Sequence, residues 1–199
     1  MDAETHAVVV AAFNIREGAK DLTRLYNRLS ASGLSPRSAT VDGNPQQLRY
    51  IPQTWPQIKL QRCLIHVHRQ GLSWCRRHPS RTDAKHLRRL FLLLPSINTP
   101  EERDQFIRLT QQWEQRFGHR FHQSREHGWV FNDLRLARGM LLHALPHLFH
   151  YLDDERIPRS TNALEGYFSR MKEKYRRHRG LSIQKRDAYF QWYFYLKPK

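Results

Sequence analysis

Two acids stand where carboxylate chemistry would need them. Asp42, in "TVDGNPQ", closes a run that reads as a strand. Ligands of open α/β sheets bind at such strand ends. Glu165, in "STNALEGYFSRMKEKYRRHRGLS", opens a run with helical spacing. A pair of carboxylates brought together from these two places could hold a metal ion. Each acid also has a plainer reading. Asp42 with Gly43 is an ordinary turn pair. Glu165 with Asn162 has the spacing of an N3 acid and its N-cap, although Ser or Thr is the usual N-cap there.

Other chemistry-bearing types follow a pattern too. Cys63 and His66 form C-x2-H, and Cys75 and His78 repeat that spacing. Together they offer four ligands of the kind tetrahedral Zn²⁺ takes. Such pairs arise easily in a chain with 12 His, and a buried Cys is a common core residue. The expectation is that Cys63 and His66 pack beside the core and that zinc is not bound. The run Arg170, Lys172, Lys174, Arg176, Arg177, His178 and Arg179 is either a solvated basic face or a phosphate-binding one. Tyr175, Tyr189, Phe190, Trp192, Tyr193, Phe194 and Tyr195 could stack on bases. They could equally pack the last helix, and that second reading is favoured. No glycine-rich phosphate loop, G-x-S-x-G elbow or H-E-x-x-H pair occurs.

Composition narrows the partner. Lys and Arg total 34 against 18 Asp and Glu, a net charge of +16 in 199 residues. Such a chain attracts polyanions, nucleic acid first and an anionic membrane surface second. The longest apolar run, "LFLLLPSI", is short and broken by Pro95, so no bilayer span is expected. Two cysteines without a secretory signal pattern suggest a reducing, cytoplasmic setting.

The elements that must position these residues can be read from periodicity. Residues 6–13, "HAVVVAAF", read as a buried strand. Residues 19–31 carry Leu22, Leu25, Tyr26 and Leu29 at helical spacing. "SATVDG" is a short strand, and Pro45 starts a helix over 45–54. "IKLQRCLIH" is a strand leading into a helix. This β-α-β-α-β order predicts an α/β sheet with parallel neighbours. From about 70 to 155 only helical signals occur, among them a start at Thr99-Pro100-Glu101-Glu102 and a stop at Gly118. The last helices are expected at 161–179, ended by Gly180, and 182–196. The apolar stripe of the first would be Leu164, Phe168, Met171 and Tyr175. Glu165 beside that stripe would face the sheet edge.

Three features in this order carry a resemblance: V-D-G after a strand, then R-C-x-x-H, then T-N-x-x-E-G ahead of R-R-H-R-G. Together they resemble bacterial insertion-sequence transposases of the Mutator-like group, over nearly the whole chain. The resemblance implies an RNase H-like α/β catalytic core with an all-helical insertion between the second Asp and the Glu. It divides the chain into a partial core (1–69), the insertion (70–155) and basic return helices (156–199). It implies a D-D-E carboxylate triad, with Asp42 as the second Asp and Glu165 as the Glu, both catalytic and both ligands of Mg²⁺ or Mn²⁺. Cys63, His66 and Asn162 match the signature positions. Arg170, Lys172, Lys174, Arg176, Arg177 and Arg179 would hold DNA, the element ends and the target. The activity implied is metal-dependent strand cleavage and transfer in transposition, in a bacterial cytoplasm, by a homodimer or higher multimer.

One part of the pattern has no match. The first Asp of the triad belongs on the first strand, and neither Asp2 nor Asp21 fits it. The expectation is therefore a core that is N-terminally incomplete: a remnant, a misassigned start, or one product of a split frame whose other polypeptide supplies the missing strands. On that reading this chain alone does not catalyse strand transfer. The competing class is a non-catalytic basic module or remnant that binds nucleic acid through the C-terminal helix. A small zinc protein on Cys63, His66, Cys75 and His78 is the third.

Overall fold

The computed structural model describes residues 1–12, 18–123, 128–178 and 180–196. It is mostly helical, with one small two-stranded parallel sheet. The elements run α1 (Ala19–Ala31), β1 (Ser38–Val41), α2 (Pro45–Thr54), β2 (Lys59–Arg62), α3 (Leu64–Cys75), α4 (Thr82–Leu93), α5 (Pro100–Phe117), α6 (His119–Gln123), α7 (Trp129–Ala144), α8 (His150–Asp153), α9 (Asn162–Arg176) and α10 (Ile183–Leu196). They form two compact units. The first takes in Met1–Ala39, Asn44–Ile58 and Thr161–Lys199, and the second Thr40–Gly43 and Lys59–Ser160.

In the second unit, β2 arrives buried at Leu60, Gln61 and Arg62 and runs straight into α3. Gln61 has no exposure, and its amide donates to the Leu148 carbonyl at 2.8 Å and the Arg62 carbonyl at 2.7 Å. That fixes the strand end, because a buried amide without partners would be costly. α3 packs on α4 and α7. Leu64, Val67, Leu87, Phe91, Phe106, Leu134, Leu141 and Leu148 are all within 2% of full burial. Each such side chain contributes about 1.5–3 kcal/mol through burial. Gly71 lets α4 approach: a Cβ there would collide with the Phe91 ring. α5 starts with a complete capping box, Thr99 Oγ1 accepting from Glu102 N while Glu102 Oε2 accepts from Thr99 N. Its stripe Phe106, Trp113 and Phe117 is buried as the spacing predicts, with Leu109 half-buried. Trp113 Nε1 donates to the Asp83 carbonyl at 3.0 Å.

In the first unit, α1 buries Leu22 and α2 buries Ile51. Trp55 closes α2, donates from Nε1 to the Leu34 carbonyl at 2.9 Å and packs its ring 5.8 Å from that of Tyr26. α9 and α10 pair through rings. Tyr167 stacks on Phe194 at 5.7 Å, and Tyr175 lies 5.1 Å from Phe190.

Three local expectations are corrected. Residues 6–12 form no strand, and residue 13 lies outside the described residues. Asp2 instead caps a turn, its carboxylate accepting from Thr5 N and Thr5 Oγ1 at 2.7 Å, and Asp2 N donates to the Ala7 carbonyl at 2.8 Å. His6 consequently sits at φ 55, outside strand geometry, and Val9 and Val10 stay exposed. The buried stripe of α9 runs through Tyr167 and Met171, and Phe168 is exposed, one position off the expected face. The helix also closes at Arg176, where Arg177 N turns back to the Lys174 carbonyl and His178 N to that of Tyr175. Gly180, at φ 101, serves the turn beyond it.

Candidate nucleic-acid interface and the two acids

α9 carries an acid in its first turn and four cations, Arg170, Lys172, Lys174 and Arg176, in its second half. Its N-cap is Thr161, not Asn162, which is the first helical residue and is exposed. Glu165 is therefore one position too far along for the expected capping box. It answers to Thr161 differently: Glu165 N donates to the Thr161 carbonyl at 3.0 Å, and Thr161 Oγ1 donates to Glu165 Oε1 at 3.2 Å. The acid is half-buried. An acid in the first turn and cations in the last suit the helix dipole.

Burial of Tyr167 and Met171 turns the opposite face outwards. Arg170, Lys172, Lys174, Arg176 and Arg177 are all exposed. Glu173 is the acid among them, and its pair with Arg177 is long, 3.9 Å, between two well-exposed side chains. Such a pair neutralises little. Lys174 Nζ stands 5.7 Å above the Tyr193 ring. Arg179 lies outside the described residues. The aromatic cluster divides. Tyr189, Phe190, Tyr193 and Phe194 pack against α9 rings or one another. Trp192 and Tyr195 are 59% and 78% exposed, edge to face at 5.6 Å.

Asp42 belongs to the second unit. It is exposed and follows β1 directly. Gly43 makes the turn at φ 107, and a Cβ there would collide with the guanidinium of Arg62. Asn44 then caps α2, its side chain accepting from Gln46 N at 2.9 Å. Arg62 is 6% exposed. Burial holds its pKa below the usual guanidinium range, and the charges of Asp42 and Cys63 work in the opposite direction. Its Nε has no partner among the described residues. Arg62 opens the R-C-x-x-H run, but nothing in its local sequence shows that it is buried.

The C-x2-H pattern is a contact across one helix start. Cys63 is the N-cap of α3 and fully buried, and His66, three residues on, places Nδ1 3.1 Å from its Sγ. Cys75 is buried within α3, and burial pushes its thiol up to about 12. His78 is exposed. Among the described residues no three of His, Cys, Asp and Glu gather into a ligand group. Asp42 and Glu165 are hard oxygen donors of the type Mg²⁺ takes, and the charge near Asp42 is the Arg62 guanidinium. Among the described residues no helix is long and apolar enough to cross a membrane.

No protein-family model, no curated protein and no solved structure matches the chain.

Proposed function

We propose that the chain is a DNA-binding protein of transposase type, which holds the phosphate backbone on the exposed face of α9. The observation that carries this reading is on that one helix: Tyr167 and Met171 are buried, and Arg170, Lys172, Lys174, Arg176 and Arg177 are exposed. Cations so displayed gain affinity by releasing counterions from phosphates. The transposase part rests on the resemblance in V-D-G, R-C-x-x-H and T-N-x-x-E-G. An RNase H-like core belongs to the same proposal, and the small parallel sheet among helices is weakly compatible with an α/β class.

Within that reading Asp42 and Glu165 are the acids of strand cleavage and transfer, with Mg²⁺ or Mn²⁺ supplied alongside DNA. A second reading, a binding module without catalysis, needs neither acid and rests on the exposed cations of α9 alone. A nicking assay on supercoiled DNA separates them. Metal-dependent nicking that is lost in both Asp42→Asn and Glu165→Gln supports catalysis. Binding without nicking at any concentration of either metal, with a polypeptide that carries the first Asp present as well as absent, supports the module.

A further inference from the structure

Outside α9 the first unit has a second cationic surface. α1 and Tyr50 of α2 line an open groove of about 800 Å³. Its polar lining is Lys20, Thr23, Arg24, Asn27, Arg28 and Tyr50, and no carboxylate lines it among the described residues. Lys20, Arg24 and Arg28 are exposed. They recur every four residues, so they rise along one helix face in steps of about 6 Å. Arg49 adds a fourth cation beside the groove, its guanidinium carbon 5.4 Å from the Tyr50 ring centroid.

We propose that this groove is a second DNA-contact surface, one that takes the phosphate backbone. The proposal rests on the DNA-binding reading and goes beyond it, because it assigns contacts to α1 and α2. A regular series of cations suits a ligand with a regular series of anions. Thr23 and Asn27 stand between the cations and offer the hydroxyl and amide donors that bind phosphate oxygens. Tyr50 offers a ring to a sugar or base.

The test uses the full chain and a labelled duplex, with affinity measured across a salt series. The groove variant is Lys20→Gln with Arg24→Gln and Arg28→Gln. Its control is Lys85→Gln with Arg89→Gln and Arg108→Gln, exposed cations of the second unit. Each lost phosphate contact lowers the slope of log K against log salt by about 1. The groove variant should lose about 3 from that slope, and the control less than 1. Exchanging the cations for one another, Lys20→Arg with Arg24→Lys and Arg28→Lys, should retain it. Equal losses in groove variant and control would overturn the proposal as a net-charge effect. An unchanged groove variant, alongside a loss on neutralising α9, would overturn it and leave the proposed function standing. Lost binding of polyglutamate with unchanged DNA binding would assign the groove to acidic protein instead. Failure of the unmodified chain to bind DNA would overturn both.

Discussion

At Gly43 two constraints coincide. Its φ of 107 is one that side chains rarely adopt, and the space a Cβ would fill belongs to the Arg62 guanidinium. Gly43→Ala should therefore cost more than about 1 kcal/mol, read as a lower midpoint in urea. Asp83 is the other decisive single residue. It is fully buried, takes bonds from Arg81 Nε at 3.1 Å and Arg81 Nη2 at 2.8 Å, and pairs with Arg120 at 3.3 Å. Burial alone would raise its pKa, but the Arg81 fork, the Ala84 N–H and Arg120 together bring it below the usual value. A depressed carboxyl stabilises the fold above its unfolded pKa of about 3.9. That contribution is lost as pH falls through the lower, folded value. Asp83→Asn should cost about 1–3 kcal/mol at neutral pH. It should also flatten the loss of thermal stability below about pH 4, which melting across a pH series would measure. The cost stays moderate because Arg81 and Arg120 are 26% and 44% exposed and can turn to water.

At the scale of elements, α9 depends on its rings. Tyr167 is 4% exposed and touches Phe194 and Tyr193. Tyr167→Ala should cost about 3 kcal/mol, with early loss of protection in α10 by hydrogen exchange. What could be read from the sequence at this scale was local. Pro45 and the Thr99 box start α2 and α5 as expected, because a cap is settled within four residues. α1 also matches its expected limits. The strand at 6–13 could not be settled that way, since a strand needs a partner elsewhere and Asp2 and Thr5 offered a nearer one. The face of α9 was misjudged by one position, Phe168 for Tyr167. Both fit helical spacing, and only the rings of α10 choose between them. The C-x2-H contact was legible as packing, because an N-cap and the residue three on lie within one helical turn.

For the whole molecule, the net charge of +16 was the most informative quantity before any fold was known. It points to a polyanion but not to where the polyanion sits. The sequence reading set 70–155 apart from 1–69 and 156–199, and the second compact unit takes in Thr40–Gly43 and Lys59–Ser160. The acids show the same limit. Asp42 could be placed after a strand and Glu165 in a first turn, but nothing in their local sequence says what else gathers around them. The most direct measurement for the central claim is site-specific photo-cross-linking to duplex DNA. A photoreactive residue would be placed at Ser169 or Glu173, both exposed on α9, and at Gln111, exposed on α5. The account predicts salt-sensitive cross-links from Ser169 and Glu173 that exceed those from Gln111. DNA bound by the chain but cross-linked from neither α9 position would contradict it.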